Sequence, residues 1–337
     1  MSKDNFILEQ RKHQIIWRKT NISTTEKGFQ NGKDYEHIIP KNKWKETLWS
    51  GIRTGLPAYL DQKNIQHHTG THNLLSSWIV CANLYFPVRL NKSLQQLMLA
   101  FLKQRVSSEI TEIEEVELEF AFPEKDGLHP SLLLGELDGN RGSGQTSPDV
   151  AFIVKTPFSK GIVLTECKYT EHSFYKCSAR RTIDKGEREG NPNPTRCMQS
   201  RSVIDYKTIC HQTIWGRKYW NNLHLSNYGR TTLKRCPAAT AGYQLFRQQA
   251  LAEGIRKSSE FSLVASSVAF DARNNTLIEC LKSTGINDFQ TEWAKLFDGK
   301  AIFKTWTHQE WVQFVRANQV NGEFNNWLGY LNKRYGY

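Results

Sequence analysis

The chain has 337 residues, enough for one large domain or two modest domains with a hydrophobic core. Its 39% hydrophobic, 12% aromatic and 23% charged residues are typical of a globular protein and exclude a chain too polar to fold. The 45 basic and 33 acidic residues give a net charge of +12, which predicts a polyanionic partner, nucleic acid first and a membrane surface second. No apolar run could span a bilayer and no secretory signal is visible, so we expect a cytoplasmic protein without a membrane partner. In the cytoplasm, its seven cysteines are thiols or metal ligands rather than disulfides.

Residues 1–70 are predicted to form a basic N-terminal arm followed by a helix. Residues 1 to about 40 are polar and lack hydrophobic periodicity, which indicates a loosely folded arm. Apolar residues then recur at helical spacing between Trp44 and Leu56, immediately before Pro57. We therefore expect one helix in this stretch.

A folded domain is predicted from residue 71 onward. Asn73–Tyr85 is apolar on nearly all sides, which predicts a buried helix that Pro87 ends. Ser93–Lys103 is predicted as a further helix. Leu132–Leu137 is predicted as a strand that leads into a Gly-rich turn at residues 139–144.

The C-terminal half alternates between helical and extended patterns. Residues 172–236 form a polar, basic, cysteine-containing insertion, and a segment of this length with few apolar anchors usually needs a staple. The predicted elements that follow are a helix, a strand, a helix, a strand and a helix: Gly242–Lys257, Phe261–Phe270, Asp288–Phe297, Ala301–Trp306 and Thr307–Asn318. This alternation indicates an α/β domain with a mixed central sheet over residues 71–318, and residues 319–337 are predicted to be a C-terminal tail.

One hairpin carries the residues with the clearest chemistry. Two apolar strands, Val150–Lys155 and Gly161–Tyr169, flank a short Pro-Phe-Ser-Lys turn. Asp149 opens the first strand, and Glu166 and Lys168 lie near the end of the second. Because side chains alternate along a strand, Glu166 and Lys168 share one face, which Asp149 reaches if the strands pair.

Two carboxylates and one ammonium at one point have a chemical use. Paired carboxylates are hard oxygen ligands that suit Mg²⁺ or Mn²⁺. A neighbouring lysine can orient water or stabilise charge on phosphorus. The alternative is a surface ion pair, which is the commoner meaning of such groupings and stabilises little.

The pattern resembles the PD-(D/E)XK nuclease superfamily, whose motif is an Asp on one strand and a (D/E)xK on the next. Here Pro148-Asp149 and Glu166-x-Lys168 occupy these places, and the flanks TSPD and KYTE look like a bacterial, restriction-endonuclease-like branch. The resemblance covers about residues 70–315. It implies a restriction-endonuclease-like mixed β-sheet flanked by helices, with the cysteine-containing basic insertion added. It also implies an Mg²⁺- or Mn²⁺-dependent endonuclease that hydrolyses DNA phosphodiester bonds in restriction or phage defence.

The resemblance assigns roles to the residues of the motif. Asp149 and Glu166 would bind the metal, and the backbone carbonyl of Cys167 would be a further ligand, while its side chain faces away as a small core residue. Lys168 would position or activate the attacking water.

The superfamily usually adds a third acid from upstream. Glu115, Glu119 and Glu136 are the candidates, and each is alternatively a solvated surface acid. We slightly prefer Glu136, because a strand that ends in LLLGE could lie against the Asp149 strand.

The downstream helix carries Gln244 and Gln248 one turn apart on one face. It resembles the Gln-xxx-Tyr helix of the recombination-exonuclease branch, whose Gln lies near the metal-bound water and the DNA. Gln248 stands where that branch has Tyr, so the role of Gln244 stays open against a plain amphipathic helix.

Four cysteines lie between the hairpin and this helix: Cys177, Cys197, Cys210 and Cys236. Grouped thiolates in a core-poor segment suit Zn²⁺ or an iron–sulfur cluster. Some nucleases of the superfamily hold such a cluster with different spacing. Because no Cys-x-x-Cys pair is present, four independent free thiols remain the alternative.

The insertion and its flanks also supply the residues predicted to bind nucleic acid: Lys176, Arg180, Arg181, Arg217 and Lys218. Basic residues interleaved with aromatics neutralise phosphates and stack on bases, although a basic run is often only a solvated face. DNA is the expected partner and RNA is not excluded. The alternative functions are a non-cleaving nucleic-acid scaffold and a metal-stapled subunit of a defence assembly, with a homodimer or a defence-complex protein as partner.

Overall fold

A computed structural model of the chain describes residues 5–137 and 139–337. In these residues the strands are β1 Gly28–Gln30, β2 Lys33–Tyr35, β3 Glu112–Leu118, β4 Val150–Lys155, β5 Lys160–Lys168, β6 Leu263–Phe270 and β7 Ile302–Thr307. The α-helices are α1 Asn5–Asn21, α2 Gly55–Gln62, α3 Ser77–Leu90, α4 Lys92–Arg105, α5 Pro130–Leu134, α6 Tyr206–Ile209, α7 Tyr219–Asn222, α8 Asn227–Thr232, α9 Tyr243–Ser258, α10 Asn275–Ile278, α11 Phe289–Glu292, α12 His308–Asn318 and α13 Asn325–Tyr335. Short 3₁₀ helices cover Lys41–Thr47, Ser50–Ile52, Glu124–Asp126, Ser178–Arg180, Pro194–Met198, His211–Thr213, Lys282–Thr284 and Ala294–Leu296.

A mixed sheet with the strand order β3-β4-β5-β6-β7 forms the centre of the fold. Strand β4 is antiparallel to both β3 and β5, and β6 and β7 continue the sheet in parallel with β5. Both faces are covered, which is why β4, β5 and β6 are nearly continuous apolar runs rather than alternating ones. The predicted α/β class with a mixed sheet flanked by helices is confirmed.

The two faces of the sheet contribute to two hydrophobic cores. On one face, Phe152 and Val163 pack with residues of α3, α4, α12 and α13. On the other face, Ala151, Ile162 and Leu164 pack with residues of α9 and of the insertion. The alternation along β4 and β5 therefore sorts neighbouring side chains between two separate cores.

The insertion 172–236 is better anchored than its composition indicates. It contains only short helices, but it buries several large apolar side chains in the second core: Phe174, Tyr206, Tyr219, Trp220, Leu223 and Leu233. Tyr219 and Trp220, the two aromatic residues directly after Lys218, belong to this set. They are consequently core residues.

The buried helix α3 does not end at Pro87, contrary to the prediction. It begins at Ser77 and continues through Pro87 to Leu90. A proline inside a helix cannot donate to the carbonyl four residues earlier, here that of Asn83. The indole of Trp327 donates to this carbonyl oxygen at 2.9 Å instead, so a residue from the other end of the chain makes the proline acceptable.

Three other predictions of secondary structure are wrong. Residues 132–137 are not a strand, because Pro130–Leu134 is a helix that begins with a proline and ends at Gly135 in the left-handed conformation (φ +67°). The single helix expected before Pro57 is two 3₁₀ segments followed by α2, with Pro57 inside its first turn. Near residue 290, one helix is replaced by α11 and a short 3₁₀ turn.

The two ends of the chain pack together. Residues 5–21 form α1 rather than a loosely folded arm, while residues 1–4 of the predicted arm lie outside the described residues. The predicted tail contains α13, whose Arg334 is fully buried. The Arg334 guanidinium lies 4.5 Å from the Trp17 ring centroid and donates to the Thr47 carbonyl and the Tyr330 hydroxyl. The division into arm, domain and tail stays a prediction.

No helix among residues 5–137 and 139–337 has the length and apolarity needed to cross a membrane.

We expect Arg334→Met to lower the free energy of unfolding by about 3 kcal/mol, because it leaves buried carbonyl and hydroxyl acceptors without their donor. Chemical denaturation monitored by circular dichroism measures the change. Lys333→Met, at an exposed position of the same helix, is the control and should change stability by less than about 0.5 kcal/mol. Equal effects of the two substitutions would contradict this account of the end-to-end packing.

Candidate active site

The hairpin brings the predicted charged residues to one point. Val150 pairs with Thr165 across β4 and β5, so Asp149 stands beside Glu166. The Asp149 Oδ2 accepts a hydrogen bond from the Cys167 N–H at 2.7 Å, and the Lys168 Nζ donates to the Glu166 Oε1 at 2.6 Å. Glu166 is 8% exposed and Lys168 2% exposed, so this is a recessed charge cluster and not a surface ion pair.

Burial and the neighbouring charges shift the pKa values of the residues in the cluster. Burial, followed by the negative charge of Glu166, raises the pKa of Asp149 well above its usual range. Burial alone would lower the pKa of Lys168, but the carboxylates of Glu166, Glu171 and Asp149 outweigh it and raise that pKa. Lys168 is therefore a charged ammonium at neutral pH.

Glu119 is the upstream acid that the structure places at this cluster. It directly follows β3 and has a left-handed backbone (φ +47°), so its side chain does not continue the alternation of side chains along β3. Its N–H donates to the Asp149 carbonyl at 3.1 Å, and its own carbonyl accepts from the Arg141 Nε at 2.9 Å. Burial, then the charges of Asp149 and Glu166, raise the pKa of Glu119 well above its usual range.

Glu136 lies elsewhere, in a buried polar network. Its Oε1 accepts from the Thr146 hydroxyl at 2.8 Å, the Tyr219 hydroxyl at 2.7 Å and the Arg247 Nε at 3.1 Å. The slight preference for Glu136 rested on a strand ending in LLLGE, and that segment is a helix. Glu115, the third candidate, is partly exposed on β3 and forms an ion pair with Arg89 at 3.1 Å.

Gln244 and Gln248, two glutamines of α9, lie in different environments. The Gln248 amide is buried against the sheet, where it donates to the carbonyls of Leu164 and Ser267, at 3.2 and 2.9 Å. Gln244 is at the start of α9, and its backbone N–H donates to the Phe174 carbonyl at 2.9 Å. Its side-chain Oε1 is buried and has no hydrogen-bond partner among the described residues.

Sequence reasoning did not assign two groups at the rim of this cluster. The Lys168 Nζ lies 5.9 Å from the ring centroid of Tyr175, a half-exposed residue just after the hairpin. The Glu171 carboxylate accepts from the Tyr169 N–H at 2.8 Å, and its charge acts on Lys168. Glu171 was visible in the KYTE flank, but no sequence pattern indicated Tyr175.

The carboxylates fit a divalent cation by chemistry but not by their present spacing. Glu119, Asp149 and Glu166 are hard oxygen donors whose mutual repulsion a cation would relieve. In the part of the chain that is described, however, no group of three or more His, Cys, Asp or Glu side chains is arranged to hold a metal ion. Glu166 is instead directed to Lys168.

A family model described as "Restriction Endonuclease associating with ARP" (REase-ARP) matches residues 11–336. The chain belongs to this family. The match includes the sheet, the charge cluster and the insertion, so it supports a restriction-endonuclease-like protein over almost the whole length. No curated protein and no solved structure matches the chain.

In this REase-ARP protein the four insertion cysteines meet around one small cavity of about 20 Å³. Cys177, Cys197, Cys210 and Cys236 all line it, although they are spread over sixty residues of chain with little regular structure. Burial raises the pKa of Cys177 to about 11 and, together with neighbouring thiols, that of Cys210 to about 12. The thiols are therefore protonated and unreactive unless something displaces their protons.

The predicted nucleic-acid-binding residues divide into exposed and buried members. Lys176 and Lys218 are exposed, whereas Arg180 is half-buried and donates to the Ala239 carbonyl at 3.0 Å. The Arg181 guanidinium is half-buried and lies 4.9 Å from the ring centroid of Trp215. Arg217 is 7% exposed, and its guanidinium donates to the Gly135 carbonyl.

We expect Glu119→Gln to make the protein more stable than the wild type at pH 8 without divalent cations, by about 2 °C in Tm. Because the pKa of Glu119 is raised in the folded state, the folded chain binds more protons than the unfolded chain in the window above the usual Glu pKa. Wild-type stability therefore falls as pH rises through that window, and Gln avoids this loss.

Differential scanning fluorimetry between pH 5 and pH 8 gives the comparison, and the advantage of Glu119→Gln should shrink toward the acidic end. The exposed Glu109→Gln is the control and should follow the wild type at every pH. A Glu119→Gln protein less stable than the wild type at pH 8 would show that Glu119 is not under repulsion.

Proposed function

We propose that the chain is a PD-(D/E)XK-type nuclease that hydrolyses DNA phosphodiester bonds with Mg²⁺ or Mn²⁺. The observation that carries the proposal is the recessed cluster in which Asp149, Glu166 and Lys168 meet at the end of one hairpin. The family match and the net charge of +12 add support.

Asp149, Glu166 and Glu119 would hold the cation, with the Cys167 carbonyl as a further ligand. When bound, the cation would neutralise charge on the phosphate and lower the pKa of a water molecule. The Cys167 N–H orients Asp149, and Arg141 holds the backbone turn that presents Glu119. Glu166 would exchange its contact with Lys168 for one with the cation.

Lys168 would act as a charged donor. The raised pKa of Lys168 keeps its ammonium protonated, so it stabilises negative charge that develops on the phosphate and orients water, and it does not remove a proton. The Gln244 Oε1, which is buried and lacks a partner among the described residues, would help to orient the same water.

The side chains available for phosphate contacts are Lys176, Arg180, Arg181 and Lys218, and the buried Arg217 is left out of this surface. Lys176 is exposed and follows Tyr175 directly in the chain. Charge neutralisation by such residues supplies most sequence-independent affinity for DNA and weakens with salt.

Lys168→Ala should lower the rate of Mg²⁺-dependent cleavage of supercoiled plasmid by at least about 100-fold, the loss expected on removing a transition-state donor. Asp149→Asn should act similarly while it keeps an oxygen for the Cys167 N–H. Lys155→Ala, an exposed lysine at the other end of β4, is the control and should cleave normally. Wild-type rates in Lys168→Ala or Asp149→Asn would refute the proposed catalytic site.

A second candidate function is a nucleic-acid-binding scaffold that does not cleave. The 2.6 Å contact between Lys168 and Glu166 favours it, because an ion pair satisfies Glu166 without any cation. A wild-type protein that binds DNA but leaves plasmid intact with Mg²⁺ or Mn²⁺ would establish this alternative.

We propose a restriction or phage-defence role as an endonuclease, and the family description, "Restriction Endonuclease associating with ARP", supports it. The words "associating with ARP" in that description support a partner protein, and we propose that the chain works in a complex with such a partner or as a homodimer. Co-expression followed by size-exclusion chromatography distinguishes the two assemblies.

We further propose that the four-cysteine cavity holds a structural metal, either Zn²⁺ or an iron–sulfur cluster. Four cysteines around one cavity in a segment with little regular structure support this, since metal binding adds to the free energy of folding. The four side chains would have to close around a single ion. Four independent thiols are the alternative.

Purified protein should contain stoichiometric zinc by elemental analysis, or iron with absorption in the visible range. Cys197→Ser should abolish the metal and lower the free energy of unfolding by at least about 2 kcal/mol, because binding energy is also folding energy. Cys280→Ser, outside the cavity, should keep both. A metal-free wild type as stable as Cys197→Ser would leave the four cysteines as independent thiols.

A further inference from the structure

Tyr175 combines an unfavourable backbone with an exposed aromatic ring. Its φ of +57° is in the left-handed region, which a bulky side chain rarely adopts and which costs conformational free energy. Its ring is nevertheless 50% exposed, so hydrophobic burial does not explain why an aromatic residue occupies a position that suits glycine or asparagine. Strained residues of this kind concentrate at binding and catalytic sites.

The strained backbone is held from both sides. The Tyr175 N–H donates to the Ser173 hydroxyl at 3.2 Å, and its carbonyl accepts from the Tyr243 N–H, at the first residue of α9, at 3.0 Å. The preceding Phe174 is fully buried in the second core and accepts from the Gln244 N–H. The backbone that carries the Tyr175 ring is therefore held by contacts on both sides.

The place is directly beside the charge cluster. The Lys168 ammonium lies over the Tyr175 ring at 5.9 Å from its centroid, within the range of a cation–π contact. Burial and then the charge of Glu171 raise the pKa of the Tyr175 phenol, and the Lys168 ammonium offsets part of this effect. One face of the ring is turned to Lys168, and the half-exposed ring retains area for a ligand.

We propose that Tyr175 is a substrate-positioning residue whose ring stacks on an unpaired nucleobase next to the phosphate that Lys168 contacts. The inference rests on the proposed nucleic-acid role of this site. A nucleobase stacks on an aromatic ring whatever its identity, but only when it is not stacked in a duplex. The site would thus take single-stranded or locally opened DNA, with the base on Tyr175 and its phosphate toward Lys168.

The test compares two fluorescent probes in a binding assay without divalent cations, so that no cleavage occurs. One probe is an oligothymidylate and the other has the same length and charge but only abasic units. The wild type should bind the base-bearing probe about tenfold more tightly, and Tyr175→Ala should bind both probes equally, since stacking on one aromatic residue contributes about this factor. Tyr175→Phe should behave as the wild type, because it keeps the ring and removes only the hydroxyl.

Phe158→Ala is the matched control, since this highly exposed aromatic lies in the turn at the opposite end of the same hairpin. It should retain the preference for bases. Tyr175→Gly, which relieves the left-handed strain, should keep or raise Tm while losing the preference, and so separates a binding role from a folding role.

Equal binding of the two probes by the wild type, an undiminished preference in Tyr175→Ala, or loss of the preference in Tyr175→Phe would each overturn the inference. Plasmid cleavage is measured separately. A protein that shows the Tyr175-dependent preference without cleavage refutes the nuclease and keeps the stacking role, whereas cleavage without the preference does the reverse.

Discussion

The antiparallel pairing of β4 with β5 is the constraint on which the rest of the structure depends. Its register runs from Val150 opposite Thr165 to Lys155 opposite Lys160, with a tight turn between them. A shift by one residue would move every side chain of one strand to the other face. It would exchange Ala151 with Phe152 between the two cores and would send Asp149 away from Glu166. Packing of both faces thus determines the register, and the register determines the site.

The site itself works against folding. Two carboxylates with raised pKa values lie beside a third, and one ammonium offsets only part of their charge. Such an arrangement persists when the surrounding structure over-determines it. Here the supports are the Cys167 N–H, which donates to the Asp149 carboxylate, and the Arg141 side chain, which donates to the Glu119 carbonyl. A cation would relieve the repulsion between carboxylates that the fold maintains.

Polar groups that the local sequence alone would leave buried without a partner are paired with residues distant in sequence. Pro87 remains inside a helix because the Trp327 indole donates a hydrogen bond to the Asn83 carbonyl, to which the proline cannot donate. Arg334 is buried because Trp17, Thr47 and Tyr330 surround its guanidinium. Both pairings connect the last thirty residues to the first half of the chain. They explain why the ends of the chain, which look like a basic arm and a tail, are packed helices.

The sequence by itself determined the α/β class, the β4–β5 hairpin and the meeting of Asp149, Glu166 and Lys168, because apolar runs and side-chain alternation are local signals. Only the tertiary structure decided that Glu119 rather than Glu136 lies beside Asp149, since this depends on a left-handed turn and on a network formed with α9. It also gathered the four cysteines around one cavity and placed Tyr175 over Lys168. These are contacts between segments without periodicity, and no local pattern encodes which distant residue will satisfy a buried group.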